Sequence, residues 1–276
     1  MEYKKLLNET RIPQLGLGVW QMSDEEAIES VEEALKIGYR LIDTAAGYRN
    51  EAAVGEGVRR SGIEREDIWI ATKVRNSNQG YRETFQAFEA SLKELQMDYV
   101  DLYMVHWPVK ATVKETWRAI EEIYQKGLAK SIGVCNFHAH HLEELMETAK
   151  ILPMINQVEL HPLLSQVDLT EYFESKGIVI EAYSPLGNGQ ILQNESIEKI
   201  AQKYQKTVAQ IILRWEIQRG IVTIPKSVHK ERIIQNFEVF DFTLSDEDMF
   251  ALSALNQNQR VGTDPEHFEE IFAKKK

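Results

Sequence analysis

Apolar residues along this chain follow two alternating rhythms. The first is helical: Ala27, Ile28, Val31, Ala34 and Leu35 recur at the three- and four-residue spacing that gathers them on one face. Ser23 with Glu26 makes a capping-box pair at the start, and Gly38 supplies a left-handed stop. The second rhythm, a short unbroken apolar run, begins almost at once with Leu41-Ile42. The pair then repeats. Phe85, Phe88, Leu92 and Leu95 predict a helix before a strand over Val100 to Val105. Trp117, Ile120 and Tyr124, stopped at Gly127, precede a strand from Lys130 to Val134, and Leu142, Leu145, Met146 and Ala149 precede Met154 to Val158. Leu169, Tyr172 and Phe173, closed by Gly177, lead to Ile178 through Ile180, and a helix holding Ile211, Leu213 and Trp215 leads to Ile221 through Ile224.

With Leu15 to Gly18 and Ile68 to Thr72 added as strands, the pattern gives about eight strand–helix units. The strands are short apolar runs instead of polar–apolar alternations, as expected when both faces of a sheet are buried. No long linker, low-complexity stretch or charge block divides them, so residues 1–276 read as a single α/β domain. A (β/α)8 TIM barrel, which typically needs about 250 residues, fits this layout best. A doubly wound open sheet is the other arrangement the same grammar allows. Lys4 to Gln14, ahead of the first barrel strand, predict a small β-hairpin.

Charge and composition narrow the functional classes. A formal net charge of −11 repels nucleic acid at long range. No run approaches the ~18 uninterrupted apolar residues of a membrane span, and Met1 to Lys5 carry no apolar signal segment. A single cysteine, Cys135, excludes an intrachain disulfide and a Cys-rich zinc motif. The expectation is a cytoplasmic protein that binds neither nucleic acid nor membrane. The closing Lys274-Lys275-Lys276 reads as a solvated tail.

Familiar nucleotide and metal motifs are missing. Gly16-Leu17-Gly18 and Gly55-Glu56-Gly57 each lack the third glycine of a dinucleotide loop, and no G-x-x-x-x-G-K-[ST] occurs. His138, His140 and His141 open a predicted helix without an acidic residue at ligand spacing, so they read as surface or capping histidines, and no metal is expected. Cys135 reads as packing at a strand end.

The chemical signal lies where strands run out. Asp43 follows Leu41-Ile42, Lys73 follows Ile68 to Thr72, His106 follows Leu102 to Val105, and Tyr48 comes just past Asp43. In a parallel barrel, side chains at C-terminal strand ends converge on one mouth. A tyrosine, a lysine, an aspartate and a histidine gathered there form a proton-donating set.

The same residues carry a family likeness. Leu15 to Trp20, Gly38 to Ala45 with Tyr48 and Asn50-Glu51, Lys73, Val105 to Pro108, Ile132 to Phe137, Gln157 to Glu159, Tyr183 to Gly187 and Ile224 to Ser227 resemble aldo-keto reductase signatures, in order and at family-like spacing. Within that family the chain is most similar to the compact bacterial diketogluconate and glyoxal reductase group.

That resemblance implies an NADPH-dependent reduction of aldehydes or ketones, with small dicarbonyls such as methylglyoxal and keto sugars as substrates. Tyr48 is implied as general acid, with Lys73 lowering its pKa, Asp43 holding Lys73, and His106 orienting the substrate oxygen. NADPH is implied to lie along the barrel without a Rossmann fold. Tyr183 is expected to stack on the nicotinamide, and Asn136 and Gln157 to hold its carboxamide. Lys226, Ser227, Val228 and Arg232 are expected around the 2′-phosphate, with Gln235 and Asn236 at the adenine. Gly18, Val19, Trp20, Asp43, Ser184 and Leu186 complete the expected cofactor contacts. Trp20, Tyr48, His106, Trp107 and Arg75 are expected at the substrate.

Departures from the family pattern also carry expectations. Cys135 stands where the family often has serine, and Gly47 leaves the segment before Tyr48 small and flexible. Arg75 replaces a tryptophan common in relatives, which suggests a preference for anionic carbonyls. The tail after Leu255 is short, which implies an open site, and the chain is expected to act as a monomer on a small-molecule carbonyl.

Overall fold

The computed structural model describes residues 1–273, so the terminal Lys274 to Lys276 lie outside the described residues. The predicted hairpin is present as β1 (Tyr3–Lys5) and β2 (Arg11–Pro13), antiparallel, with Tyr3 opposite Pro13. It covers the N-terminal end of the barrel, where Leu6 is buried and Asn8 donates to the Lys130 carbonyl at 2.8 Å.

Eight parallel strands follow: β3 (Leu17–Gly18), β4 (Leu41–Asp43), β5 (Trp69–Val74), β6 (Val100–Val105), β7 (Ala129–Cys135), β8 (Ile155–Glu159), β9 (Val179–Tyr183) and β10 (Val222–Thr223). Each pairs with its neighbour in chain order. The sheet closes on itself through a parallel bridge between Leu15 and Thr223. There Gly16 N–H donates to the Thr223 carbonyl and Thr223 N–H to the Gln14 carbonyl, both at 2.9 Å. The result is a (β/α)8 barrel, as the pattern predicts, and the open doubly wound sheet is excluded.

Helices α1 (Asp24–Ile37), α2 (Glu51–Ser61), α3 (Tyr81–Leu95), α4 (Val113–Gln125), α5 (Ala139–Met146) and α6 (Val167–Ser175) occupy successive crossovers. The β9–β10 crossover holds two helices, α7 (Glu195–Tyr204) and α8 (Val208–Gln218), and α9 (Lys230–Phe237), α10 (Asp246–Ser253) and α11 (Phe268–Ala273) come after the last strand. The helices form where their ends are satisfied and one face can be buried. In α1 the Ser23–Glu26 capping box is made reciprocally, at 3.2 and 2.9 Å, and Ala27, Val31, Ala34 and Leu35 are fully buried. Gly38 takes φ +129°, a conformation open to glycine, and a Cβ there would lie 2.7 Å from the Phe237 ring.

The Gly55–Gly57 pair belongs to α2. A Cβ on Gly55 would come within 2.2 Å of the Leu95 carbonyl, so this pair serves close helix packing. Among the described residues no helix is long and apolar enough to cross a membrane.

Candidate active site

Strand ends and the first turn after them bring the four predicted residues together. Asp43 closes β4, Lys73 lies one residue from the end of β5, and His106 directly follows β6. Tyr48 ends a short 3-10 turn, Ala46–Tyr48, after β4. That turn is held from beneath. Thr44 donates its hydroxyl to Asn50 at 2.9 Å, and Asn50 donates to the Val19 carbonyl at 2.9 Å. Glu51 is tied at 2.6 Å by the Thr72 hydroxyl. The Tyr48 segment is therefore pinned to both adjoining strands. Gly47 leaves a clear 3.8 Å to the His106 ring, so no backbone strain or tight approach requires glycine there.

Lys73 is 0% exposed. Its ammonium donates to both oxygens of Asp43 at 2.7 Å, to the Thr44 carbonyl at 2.9 Å, and approaches the Tyr48 hydroxyl at 3.5 Å. Burial alone pulls the Lys73 pKa down, but Asp43 and then Tyr48 outweigh it, so the ammonium stays charged. A buried cation needs such a partner, because a lone one would be several kcal/mol out of balance.

Tyr48 differs from the expectation. Lys73 does lower its pKa, yet burial is the larger effect and pushes the phenol up to about 12. The phenol thus keeps its proton until a stronger base arrives. Its ring meets His106 edge-on at 5.7 Å. Burial, then the Lys73 charge, hold His106 down at about 3, so the imidazole is neutral at physiological pH.

Behind Asp43 lies a second layer. Gln157 donates to Asp43 and to Glu181, both at 2.8 Å. Burial, followed by the nearby Asp43 charge, raises the Glu181 carboxyl to about 8, so it is neutral beside the Asp43–Lys73 pair. Sequence reasoning missed Glu181, because a glutamate within the run Val179 to Tyr183 carries no spacing signal of its own. Asn136, in a left-handed conformation just past β7, donates to the His106 carbonyl at 3.0 Å and accepts from the Tyr183 hydroxyl at 2.9 Å. Cys135 is buried against the Met104 sulfur at 3.7 Å, as its packing role predicts.

Around this centre Gly18 and Val19 are buried, Ser184 and Leu186 are half-buried, and Trp20 is 48% exposed at the rim. Arg75 is exposed, and Trp107 stacks on Phe268 with 5.1 Å between ring centroids. Farther out, Ser227 and Asn236 are buried while Lys226, Arg232 and Gln235 are exposed and Val228 is half-buried. No charged partner among the described residues neutralises Lys226 or Arg232. A lysine, an arginine and a hydroxyl at one end of α9 suit a phosphate dianion.

The charge pattern extends this. None of the connections leaving the eight barrel strands (19–23, 44–50, 75–80, 106–112, 136–138, 160–166, 184–194 and 224–229) contains Asp or Glu, although the chain is strongly acidic. They carry Arg49, Arg75, Lys110 and Lys226 instead. These loops thus carry only cations, although the C-terminal strap beside them brings Asp264, Glu266, Glu269 and Glu270 together with Arg260. The short tail is not withdrawn from this mouth, contrary to the open-site expectation: residues 256–271 lie across it, touching loops after β6, β7 and β8.

His138 caps α5, in keeping with the capping reading. Its Nδ1 contacts Glu266, its Nε2 lies 3.3 Å from Arg260, and its backbone N–H donates to His141 at 3.0 Å. Both ring nitrogens therefore have protein partners.

Comparison with known proteins places these features in a wider set. A family profile described as the aldo/keto reductase family matches residues 13–257. A glyoxal reductase of Bacillus subtilis (strain 168) is 53% identical, covering 95% of both chains. A methylglyoxal reductase, DkgA, of Escherichia coli (strain K12) is 44% identical, covering 96% of this chain and 97% of its own. The crystal structure of a Gox0644 mutant in complex with NADPH superposes with a TM-score of 0.92 at 41% identity, covering 96% of this chain and 97% of that one.

Proposed function

The chain belongs to the aldo/keto reductase family, and on that premise we propose that it reduces small aldehydes and ketones with NADPH, using Tyr48 as the general acid. The observation that carries this reading is the fully buried Lys73, bonded to Asp43 on one side and facing the Tyr48 hydroxyl on the other. Methylglyoxal-like dicarbonyls head the substrate list, and keto sugars follow. Support comes from the reductase relatives and from the exposed rim at Trp20.

NADPH, when bound, supplies the hydride that adds to the carbonyl carbon. The residues present fit it: Lys226, Ser227, Val228 and Arg232 form the cationic, hydroxyl-bearing end suited to the 2′-phosphate. Gln235 and Asn236 serve the adenine, and Gly18, Val19, Trp20, Ser184 and Leu186 line the path between. Tyr183 presents its ring to the nicotinamide, and Asn136 and Gln157 hold the carboxamide.

Tyr48 gives its proton to the carbonyl oxygen. An alkoxide is a far stronger base than a phenolate, so transfer is downhill even from a phenol near 12. Lys73 then stabilises the phenolate left behind, and Asp43 keeps that ammonium in place. Neutral His106 hydrogen-bonds the same oxygen and fixes its direction. Trp107 walls the substrate side, and Arg75 favours carbonyls that carry an anionic group. We place the enzyme in the cytoplasm as a monomer, in keeping with its single, buried thiol.

The test is NADPH oxidation with methylglyoxal by the wild type beside Tyr48→Phe. The expected outcome is a kcat loss of about 10³-fold in the variant with NADPH affinity unchanged. Tight NADPH binding by both with no turnover on a broad carbonyl panel would instead indicate a cofactor-sensing barrel.

A further inference from the structure

We propose that Glu159, the last residue of β8, is a positioning residue whose buried carboxylate buckles the C-terminal strap, residues 256–271, over the mouth and so fixes the wall of the carbonyl pocket. The inference rests on the reductase reading for its kinetic consequence, while the buckle itself stands on the geometry.

Strand periodicity places Glu159 where it matters. Gln157 and Glu159 are two apart on β8, and Glu181 and Tyr183 are two apart on β9, so each pair shares a face. The register sets Gln157 beside Glu181 and Glu159 beside Tyr183. Gln157 and Glu181 form the inner layer that contacts Asp43. Glu159 and Tyr183 are therefore the next layer toward the mouth.

Glu159 is fully buried, yet its carboxyl is held below the ordinary glutamate range. Burial pushes it up, and three donors more than reverse this: His161 at 3.1 Å, Val261 N–H at 2.6 Å and Gly262 N–H at 2.9 Å. Two of those donors are strap backbone, so the carboxylate grips the main chain itself. The fit demands glycine at 262, where a Cβ would lie 2.8 Å from a Glu159 oxygen and 3.7 Å from the Tyr183 hydroxyl.

On either side of this buckle the strap makes further contacts. Gln257 and Gln259 donate to the Leu163 carbonyl at 3.0 and 3.1 Å. Arg260 and Glu266 engage opposite nitrogens of His138, and Glu269 accepts from Lys110 N–H at 2.8 Å. Phe268 then stacks on Trp107, the residue after His106. Release at Glu159 would free the strap where it passes Tyr183, and with it the Phe268–Trp107 wall.

The test compares Glu159→Gln and Gly262→Ala, the first removing the charge and one acceptor, the second crowding it from the strap side. Each should raise KM for methylglyoxal about tenfold, as expected when a buried N–H loses its acceptor. Values of kcat should stay within about twofold, because neither residue touches the proton path. NADPH affinity should be unchanged, and limited proteolysis should cut residues 257–265 faster than in the wild type. The double variant should be no worse than the more impaired single one, since both break one contact. Unchanged KM in both variants, or a strap that stays protected in Gly262→Ala, overturns the proposal. Should Glu159→Gln not fold, the strap variant alone decides. A wild type inactive on carbonyls would sink the reductase reading, and proteolysis would still report on the buckle.

Discussion

Two buried aspartates stand at opposite ends of this barrel, and each is paired with a cation. At the base, Asp101, second in β6, binds Arg65 at 2.7 Å, Lys130 at 3.2 Å and the Ile70 N–H at 3.0 Å. Its cations keep contact with water, Arg65 being 23% and Lys130 42% exposed, and both pack on the Tyr99 ring at 4.1 and 4.2 Å. At the mouth, Asp43 binds Lys73, which has no exposure at all and whose remaining reach is toward the Tyr48 hydroxyl. The base acid meets two cations and ties three strands together. The mouth acid balances one buried charge and leaves that charge facing a phenol. The same ion pair is structural or chemical according to what the cation touches once its acid is satisfied.

Matched substitutions break the comparison most sharply. Lys73→Met strands a buried Asp43 and should destabilise the fold by about 3–5 kcal/mol, with carbonyl reduction lost. Arg65→Met leaves Asp101 with Lys130, the Ile70 amide and water nearby, and should cost about 1–2 kcal/mol with kcat within twofold. Urea denaturation midpoints beside steady-state rates check both. Equal stability losses, or a kcat collapse in Arg65→Met, would erase the distinction.

The base and the mouth also differ in how far the sequence revealed them. A largely apolar run after helical spacing marks β6 at its observed limits, Val100–Val105, and the capping box marks α1 to the residue. The helices α7, α9, α10 and α11 escape that grammar, because one crossover holds two helices and the last three follow the final strand. Strands β3 and β10 are only two residues long, and the barrel closes through a bridge from Leu15, ahead of β3, to Thr223 in β10. At the mouth, Asp43, Lys73 and His106 are legible because they end apolar runs, and Tyr48 because it comes just past Asp43. Glu159 and Glu181 are not, since what each carboxylate meets depends on a neighbouring strand and on a tail about a hundred residues away. The sign of the Tyr48 shift was hidden for a related reason: spacing reveals the lysine beside it but not the depth of burial, which proves larger.

A smaller effect separates the two ends by pH. His106 is held near 3 in the fold against about 6.5 when unfolded, so between those values the unfolded chain binds the extra proton. Stability from this group is fully present above pH 6.5 and is lost as pH falls toward 3. His141, held near 4 by burial and by His140, adds the same sign. The slope from His106 is at most about 1.4 kcal/mol per pH unit, and less because the ring is partly exposed. His106→Gln should flatten the fall in urea midpoint between pH 6.5 and 5 relative to wild type. No acid-limb inflection near 6.5 in kcat/KM should trace to His106. An inflection there that vanishes in the variant would mean the imidazole titrates during catalysis.

Exposed cations offer the mildest contrast. Arg75 follows β5 at the mouth with no charged partner among the described residues, and Lys130 opens toward solvent at the base beside Asp101. Arg75 lies in solvent on a rim that carries other cations, so its field on a substrate is screened and modest. Glyoxal and glyoxylate have nearly the same size and differ by one negative charge, which makes them a clean pair. Arg75→Trp should lower the kcat/KM ratio of glyoxylate to glyoxal about three- to fivefold at low ionic strength. The effect should shrink as salt is raised past about 0.15 M. Lys130→Gln should leave the ratio where it is, since a base cation lies across the whole barrel from the carbonyl. A ratio unmoved by Arg75→Trp would make this arginine a solvated loop residue, and the loop cations would then serve the cofactor phosphates alone.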